Sequence, residues 1–488
     1  MKDRSTLINW IEKFSEARVL TIGDVMLDRF VYGQVSRISP EAPVPVLRSE
    51  RTDLVLGGAG NVVRNLCAMG SCVSFVSVVG ADSYGRLISD MLLDLGIRSN
   101  LIVEQTRSTT VKTRFIAGQQ QVLRVDEETT YWLGETAREE VLQRIRDVID
   151  DCDIILLSDY RKGLLCQEII RSTIEFAKAS GKSVLVDPKG VDFTRYQGAS
   201  VLTPNAKELH EATLLPVDGD VAVINAARAL IHTCNVEAIL ATRGSEGLSL
   251  IRAAGDITHL RAEAREVFDV SGAGDTVIAV LAAAVGAGAP LAEAAELANV
   301  AAGIVVGKVG TAVVHPRELI QALHHQKLSS AEAKVLPLES ALETIGRWRR
   351  QGYQVGFTNG VFDLLHHGHL SLLLQASQIC DRLIVGLNSD LSVRRLTGEE
   401  PLQHETTRSA ILASLELVDI VVIFHEDTPM RLLDALRPDV LIKGANYRIE
   451  EVIGGDLVRH YGGEVILADV ADIYTTNSTI AHMTKGIF

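Results

Sequence analysis

The heptapeptide Asp269-Val270-Ser271-Gly272-Ala273-Gly274-Asp275 stands directly before an uncharged apolar stretch, Thr276–Ala292. Its glycines let the backbone turn tightly and bring N–H groups close to a ligand. A helix that begins there adds unpaired N–H donors and the positive end of its dipole, which favours an anion such as phosphate. Asp275 would then lie beside that phosphate, where a carboxylate can accept a proton from an attacking hydroxyl. The heptapeptide alone is equally compatible with a glycine-rich turn in which Asp275 only stabilises the start of a helix.

Short apolar runs that end in glycine or a polar residue recur up to about residue 320. Helical patterns separate them, which predicts a mostly parallel α/β sheet. Ligands of such sheets bind where the carboxyl ends of the strands open into loops, so the polar residues there are candidates for a site. The predicted strands are Arg18–Ile22, Ser74–Val79, Ile154–Leu157, Ser183–Val186, Ser200–Leu202 and Ala238–Ala241.

A second alternating pattern predicts a smaller doubly wound domain over residues 337–488. It follows a first domain over residues 1–325 and a polar, non-periodic linker over residues 326–336. A helix is predicted over Leu338–Gln351. The predicted strands of this domain are Tyr353–Phe357, Leu383–Leu387, Ile420–Phe424, Val440–Ile442 and Glu464–Leu467.

The bulk properties of the 488 residues argue against several classes of function. The formal net charge of -14 argues against a nucleic-acid partner or an acidic membrane surface. Six cysteines without a CxxC pair favour reduced thiols. The charged N-terminus lacks a signal-peptide core, and Thr276–Ala292 is broken by glycine and proline, so neither a secretory signal nor a membrane span is expected. We therefore expect a cytoplasmic protein that binds small molecules.

The second domain carries its own motif, Thr358-Asn359-Gly360-Val361-Phe362-Asp363-Leu364-Leu365-His366-His367-Gly368-His369. His366 and His369 are three residues apart, so they share one face of a helical turn. Two imidazoles at a helix N-terminus suit the phosphates of a nucleoside triphosphate. Zinc is the competing interpretation, but only two ligands are clustered, without a nearby cysteine or third histidine in register.

The first 320 residues or so resemble the ribokinase-like carbohydrate kinases. The match rests on Gly23-Asp24, the Gly57–Asn61 loop, Asn205-x-x-Glu208 and the heptapeptide. Longer strings are similar to the kinase half of a bacterial bifunctional family that acts on heptose phosphates. These strings are Gly23–Arg29, Ser36–Pro45, Ser158-Asp159-Tyr160-x-Lys162-Gly163 and Asp187-Pro188-Lys189-Gly190.

The resemblance implies a three-layer kinase fold and a set of roles for residues of this sequence. Asp275 is implied as the general base that acts on the anomeric hydroxyl of a sugar. The amides of Gly272, Ala273 and Gly274 are implied to stabilise the transferred phosphoryl group. Asn205 and Glu208 are implied to help hold Mg²⁺ through water. The substrate-binding residues it implies are Asp24, Asp28, Gly58 and Asn61, with Arg37, Lys112, Arg114 and Lys189 as candidate partners of the sugar's distal phosphate. It also implies nucleotide contacts from Thr242, Gly244 and Asn299.

The histidine motif and the strand ends after it resemble the cytidylyltransferase-like superfamily, again closest to the bifunctional heptose family. This implies a Rossmann-like domain in which His366, His369 and Lys443 stabilise negative charge on phosphates. The further nucleotide-binding residues it implies are Thr358, Asn359, Gly360, Phe362, Asn388, Asp390, Arg408 and Thr476. One departure is Glu400-Pro401-Leu402-Gln403, where that family commonly has Arg-Pro-Val-Asn.

Together these resemblances imply a bifunctional enzyme that uses ATP and Mg²⁺. One half would phosphorylate D-glycero-D-manno-heptose 7-phosphate at C1, and the other would adenylylate heptose 1-phosphate for lipopolysaccharide core synthesis. A separate phosphatase acts between these steps in the family. A homodimer through the kinase domain is expected on the same ground. Two alternatives stay open: another sugar kinase fused to a CTP-dependent cytidylyltransferase, and a non-catalytic metabolite sensor or scaffold.

Overall fold

The computed structural model describes residues 4–118, 120–262, 267–308, 310–444 and 448–468. The chain divides into two compact units, Met1–Leu323 and His324–Phe488. The segment predicted as a linker, residues 326–336, is helical as far as Glu332. The exact domain boundaries remain a prediction.

The first unit alternates strands and helices along the chain. Its strands are β1 (Arg18–Gly23), β2 (Val25–Ile38), β3 (Pro45–Gly58), β4 (Cys72–Gly80), β5 (Arg98–Glu104), β6 (Val111–Ala117), β7 (Gln120–Glu127), β8 (Ile154–Ser158), β9 (Ser183–Asp187), β10 (Val201–Leu202), β11 (Ala238–Thr242), β12 (Leu248–Arg252) and β13 (Ile257–Leu260). Its helices are α1 (Arg4–Glu12), α2 (Ala59–Ala68), α3 (Ser83–Asp94), α4 (Glu135–Ile149), α5 (Gln167–Ala179), α6 (Ala206–Thr213), α7 (Asp220–Cys234), α8 (Ala273–Gly286) and α9 (Leu291–Val305), and α10 (Pro316–Glu332) continues past Leu323.

Nine described strands form the main sheet in the order β13-β12-β11-β10-β9-β8-β1-β4-β5. Pairing is parallel from β11 through β5 and antiparallel among β11, β12 and β13. The six apolar runs predicted as strands are β1, β4, β8, β9, β10 and β11, so that prediction is confirmed. The carboxyl ends of the parallel strands meet at one edge, where a ligand site is expected.

Helices cover both faces of this sheet. Neighbouring residues of β1 point to opposite faces: Val19 packs in one core with α8 and α9, whereas Leu20 packs in the other with α4, α5 and α7. Helix α8 is buried from Asp275 to Ala284, which explains its apolar sequence without a membrane. The predicted three-layer α/β fold is confirmed.

A separate four-stranded sheet, in the order β3-β2-β6-β7, was not predicted. Strand β2 pairs antiparallel with β3 and parallel with β6, and β6 pairs antiparallel with β7. Every described residue of β7 and half of the residues of β3 are exposed, so these two strands lack the continuous apolar run that marks a buried strand.

The second unit is a parallel sheet with flanking helices. Its strands are β14 (Val355–Gly360), β15 (Arg382–Asn388), β16 (Ile420–Phe424), β17 (Val440–Gly444) and β18 (Glu464–Ala468), in the order β16-β15-β14-β17-β18. Its helices are α11 (Leu338–Arg350), α12 (His367–Ile379), α13 (Asp390–Thr397), α14 (Glu405–Ser414), α15 (Met430–Leu436) and α16 (Gly455–His460). The five predicted strands are these five, and chain order reverses at β14, where a doubly wound sheet opens a ligand crevice.

Candidate active sites

The glycine turn before α8 sets the first site. Gly272 has a φ of +80°, and a Cβ placed on it would lie 2.8 Å from Nδ2 of Asn61. A Cβ on Gly274 would meet no described atom within 4 Å. The turn therefore keeps one glycine for close packing and leaves open space at the other, next to the first turn of α8.

Asp275 lies in that first turn and is 8% exposed. Its Oδ2 accepts a hydrogen bond of 2.7 Å from Nδ2 of Asn61, and its Oδ1 accepts one from the hydroxyl of Tyr160. Burial raises the pKa of the Asp275 carboxyl to about 6, although both hydrogen bonds lower it. A carboxyl group with a pKa close to neutrality is well matched to proton transfer.

A cavity of about 220 Å³ opens beside Asp275. Asn205 and Glu208 cap α6 reciprocally, each side chain accepting from the backbone N–H of the other. Glu208 also accepts a hydrogen bond of 2.6 Å from Nζ of Lys189. Burial, with Asp275 and Glu208 nearby, raises the pKa of Asp187 well above its usual range. Of the predicted site residues, this cavity brings together Lys189, Asn205, Glu208, Thr242, Gly272, Gly274 and Asp275.

A second cavity, of about 270 Å³, shares Thr242, Gly274 and Val277 with the first. Valine, alanine and leucine side chains contribute to its lining, which is the mostly apolar lining typical of a small-molecule site. Of the predicted nucleotide contacts, it brings together Thr242, Gly244, Ala273, Gly274 and Asn299.

Cationic side chains of the four-stranded sheet gather around Asp28. Arg114 forms an ion pair with Asp28, and Lys112 lies opposite Asp28 in the β2–β6 register. Burial and the nearby Lys162 lower the pKa of Lys112. Arg37 does not join them, because it is exposed and nine residues further along β2, roughly 30 Å of extended chain. Lys189 is likewise held by Glu208 in the first cavity.

Asp24, expected to face a sugar hydroxyl, is instead enclosed and only 4% exposed. Its two oxygens accept hydrogen bonds from the backbone N–H groups of Tyr160, Lys162 and Leu164. These hydrogen bonds hold the loop after β8, and the predicted contact of Asp24 with a sugar hydroxyl stays a prediction. Gly58, the N-cap of α2, packs against the Asp24 carbonyl.

The histidine motif opens the site of the second unit. His366 is the N-cap of α12 and His369 lies in its first turn, with their rings stacked at 3.8 Å between centroids. Among the described residues, Nδ1 of each is buried without a hydrogen-bond partner. Burial, with the neighbouring His366, lowers the pKa of His369 to about 4, and burial also lowers the pKa of His366. Both rings are therefore neutral at pH 7 before an anion binds.

Lys443 joins the histidine site from β17. Its Nζ donates a hydrogen bond of 2.8 Å to the carbonyl of Asn359, and burial lowers its pKa to about 8. Oγ1 of Thr358 and Oδ1 of Asn359 are buried and have no partner among the described residues. Phe362 adopts a φ of +47° and packs on His369. The β14 end, including Gly360, thus presents unused polar groups beside two imidazoles and an amine.

Arg408, expected as a clamp on phosphates, is 1% exposed. All of its guanidinium nitrogens donate to protein acceptors. The acceptors are the carbonyls of Gln403, Val361 and Asn388 and the carboxylate of Asp390. In this structure Arg408 therefore joins the loops at the carboxyl ends of β14 and β15, and a phosphate would reach it only if these bonds changed.

The neighbouring loop, Glu400–Gln403, has a glutamate where the family commonly has an arginine, and it is held by contacts within the second unit. Glu400 pairs with Arg394 at 3.0 Å on the surface. Asp363 accepts the backbone N–H groups of Leu402 and Gln403 at 2.9 and 2.8 Å. Thr476, the remaining predicted nucleotide contact, lies outside the described residues.

Comparison with known proteins assigns both units. A pfkB family carbohydrate kinase model matches residues 16–317, and a cytidylyltransferase-like model matches residues 357–468. A protein of Paramagnetospirillum magneticum named bifunctional protein HldE is 55% identical over 99% of this chain and 99% of its own. One of the same name from Rhodospirillum rubrum is 51% identical, over 100% and 98%. The chain belongs to the HldE family of bifunctional proteins.

This enzyme is therefore a sugar kinase joined to a nucleotidyltransferase. Enzymes of these two classes use ATP, generally with a divalent metal ion. Solved structures show the fold of the first unit. Arabidopsis thaliana ribokinase, solved with ribose and ATP, matches 63% of this chain and 98% of its own with a TM-score of 0.51 at 20% identity. Escherichia coli phosphofructokinase-2 matches 63% and 99% with a TM-score of 0.55 at 17% identity.

Four residues of these HldE-family sites received no role from the sequence. Tyr160 and Asp187 stand inside strings that carried the resemblance, and Asp363 belongs to the histidine motif, so their positions after strands were the available signal. Arg64, whose guanidinium donates to Oδ1 of Asn61 at 3.2 Å, is one helical turn from it. No helix in the described part of the chain is long and apolar enough to cross a membrane.

Proposed function

We propose that the first unit transfers the γ-phosphoryl group of ATP to O1 of D-glycero-D-manno-heptose 7-phosphate. The second unit then transfers the adenylyl group of another ATP to heptose 1-phosphate and releases pyrophosphate. The observation that carries this proposal is the full-length identity of 55% to an HldE protein, in a chain that retains Asp275, His366 and His369. The strings shared with the heptose family support the choice of sugar.

In the kinase unit, Asp275 accepts the proton of the attacking O1 hydroxyl. Its pKa near 6 leaves it mostly ionised at pH 7 and still basic enough to take a proton. The adenine occupies the apolar cavity at Asn299, and the phosphates run past Gly274 toward Asp275. The open space at Gly274 and the N–H groups that begin α8 suit the transferred phosphoryl group.

The residues of the first cavity fit Mg²⁺ held through water. Asp187, Asn205 and Glu208 supply the oxygen ligands that Mg²⁺ prefers. Burial and the nearby carboxylates of Asp275 and Glu208 raise the pKa of Asp187, so a cation bound among these groups would stabilise its ionised form. When bound there, Mg²⁺ would neutralise phosphate charge. Lys189 holds Glu208 in place and remains half-exposed toward the same cavity.

The 7-phosphate of the sugar is assigned to Lys112 and Arg114. Both lie on β6 beside Asp28, a carboxylate suited to sugar hydroxyls. Guanidinium groups bind phosphate through paired hydrogen bonds, which supports Arg114 as the principal contact. The lowered pKa of Lys112 reflects a partly desolvated cation, which a phosphate dianion would stabilise.

In the second unit, a phosphate oxygen of heptose 1-phosphate attacks the α-phosphorus of ATP in line with departing pyrophosphate. His366, His369 and Lys443 stabilise the charge that develops on the phosphates. Donors fixed before the reaction do this better than water, because they need no reorganisation. The unpartnered Nδ1 atoms and the amine of Lys443 support this assignment.

The two reactions require a phosphatase between them, because the first product carries phosphates at C1 and C7. The intermediate leaves this enzyme and returns after C7 is dephosphorylated. We place the enzyme in the cytoplasm, where ATP is available, and in synthesis of the lipopolysaccharide core, and we expect a homodimer through the kinase unit.

A pyrophosphate-release assay with heptose 1-phosphate tests the nucleotide choice. ATP is expected to support turnover, and CTP is the comparison. Turnover with CTP and none with ATP would replace the heptose assignment by a CTP-dependent cytidylyltransferase. His367→Ala, which changes an exposed neighbour of the histidine pair, serves as the matched control for His369→Ala.

A further inference from the structure

The loop between β8 and α5 is anchored by a buried carboxylate. Asp24 accepts backbone N–H groups at 3.1 Å from Tyr160, 3.0 Å from Lys162 and 3.2 Å from Leu164. Three hydrogen bonds from alternate positions of one loop fix its path, because the charged acceptor is nearly removed from water. The first of these positions is Tyr160, whose side chain reaches Asp275 in the first turn of α8.

Both oxygens of Asp275 are engaged before any substrate binds. The Tyr160 hydroxyl donates to Oδ1, and the Asn61 amide donates to Oδ2. Arg64 donates to the amide oxygen of Asn61, which turns its NH₂ group toward Asp275. Each carboxylate oxygen keeps a further lone pair for a substrate hydroxyl.

We propose that Tyr160 is a positioning residue for the catalytic carboxylate Asp275, and that Asp24 acts by fixing the loop that presents it. This inference rests on the proposed role of Asp275 as the kinase base. It gives Asp24 a function besides the predicted sugar contact. It also gives a role to Tyr160, to which motif and resemblance assigned none.

The electrostatic surroundings explain why such a donor is needed. Burial favours the protonated form of the Asp275 carboxyl, and the nearby Asp28 does the same. Asp187 lines the same cavity, and burial and the charge of Asp275 raise its pKa. Lys189, which also lines this cavity, is paired with Glu208. The nearest cation behind Asn61 is Arg64, which reaches Asp275 only through the amide. Tyr160 is therefore one of two direct donors that favour the ionised form, and its own pKa lies well above its usual range, so it stays protonated and donating.

The test is the pH dependence of kinase kcat, followed by ADP release at saturating heptose 7-phosphate, for wild type and Tyr160→Phe. A hydrogen bond to a charged group lost in this way corresponds to a shift of about one pH unit or more. The acid limb of Tyr160→Phe is expected to move to higher pH by that amount, with the rate recovering toward the wild-type plateau above it. A merely structural role would lower the rate at every pH without moving the limb.

Tyr196→Phe is the matched control, because it also removes a buried tyrosine hydroxyl. That hydroxyl donates to Asp159 at 2.6 Å and does not contact Asp275. Its acid limb is expected at the wild-type pH. Thermal unfolding of each variant establishes that it is folded.

Asp24→Asn is a second, independent variant, expected to move the limb in the same direction by loosening the loop. Asp275→Asn tests the role of Asp275 as the base separately from the positioning role of Tyr160. Kinase turnover that survives in Asp275→Asn removes the proposed base. An inactive Asp275→Asn with wild-type acid limbs in both Tyr160→Phe and Asp24→Asn overturns the positioning role alone.

Discussion

Asp275 is buried and His369 is half-buried, and burial shifts the pKa values of both side chains from their usual ranges. Burial disfavours charge in both cases, so it raises the pKa of the carboxyl to about 6 and lowers that of the imidazole to about 4. The carboxylate thereby becomes a stronger base, whereas the imidazole stays neutral at pH 7 until an anion binds. Each shift suits the reaction proposed for its own unit.

Replacing the kinase base isolates one activity. Asp275→Asn keeps the shape of the side chain and removes its basicity, so kinase turnover is expected to fall by at least about 10². Adenylylation is expected to stay within about twofold of wild type. ADP release and pyrophosphate release measure the two rates on one preparation. Survival of both activities would show that the base is misassigned.

Phosphate binding is expected to protonate the histidine pair. Because a triphosphate stabilises imidazolium, the pKa of His369 rises from about 4, and binding of α,β-methylene-ATP near pH 5.5 takes up a proton. Calorimetry in buffers of different ionisation enthalpy measures this uptake, and His369→Asn is expected to lack the component from the transferase unit. Equal uptake by both proteins would mean that His369 does not face the phosphates.

At the scale of elements, catalytic groups lie where strand, turn and helix meet. The start of α8 and the start of α12 each follow a turn that the chain path constrains, at Gly272 and at Phe362. Side chains from neighbouring elements then hold these turns: Asn61 in one unit and Arg408 in the other.

The two glycines of the first turn are expected to respond differently to alanine. Gly272→Ala combines a positive φ with a clash against Asn61, so it is expected to lower the free energy of unfolding by about 1 kcal/mol or more. Gly274→Ala meets no described atom and is expected to keep stability but raise the KM for ATP in the kinase assay. Chemical denaturation and kinetics compare them. Equal stability losses would contradict the packing argument.

Arg408 is expected to matter for architecture. Arg408→Met removes the buried donor that three carbonyls and the Asp390 carboxylate share, so the transferase unit is expected to lose about 2 kcal/mol or more and most of its activity. Arg394→Met removes a surface pair with Glu400 and is expected to cost less than about 0.5 kcal/mol. Urea unfolding followed by circular dichroism measures the stability of both variants, and pyrophosphate release measures their activity. If Arg408→Met were as stable as wild type but bound ATP more weakly, Arg408 would be a phosphate contact, as the sequence predicts.

The sequence predicted the strands that continuous apolar runs mark and the two sites that dense motifs mark. The buried strands β1, β8 and β15 were found because burial on both faces leaves an unbroken apolar run. The four-stranded sheet was missed because β7 and half of β3 are exposed, and because charged residues interrupt the apolar residues of β2 and β6. The protein groups that enclose Asp24 and Arg408 could not be predicted, because a motif does not record what surrounds a side chain. The ligand contacts predicted for these two residues stay predictions.

At the scale of the whole molecule, two enzymes share one chain but not one substrate. Each unit has its own sheets and its own hydrophobic cores, and each candidate site is built within one unit. The chemistry also separates them, since the sugar must lose its 7-phosphate elsewhere before the second reaction. The central claim is therefore that one chain catalyses two non-consecutive steps.

The most direct measurement of that claim is mass spectrometry of the purified protein incubated with ATP, Mg²⁺ and heptose 7-phosphate, with and without an added phosphatase specific for C7. Without the phosphatase, heptose 1,7-bisphosphate is expected to accumulate and no nucleotide sugar to form. With it, ADP-heptose is expected to appear. Absence of the bisphosphate, or ADP-heptose absent even when heptose 1-phosphate is supplied directly, would contradict the account.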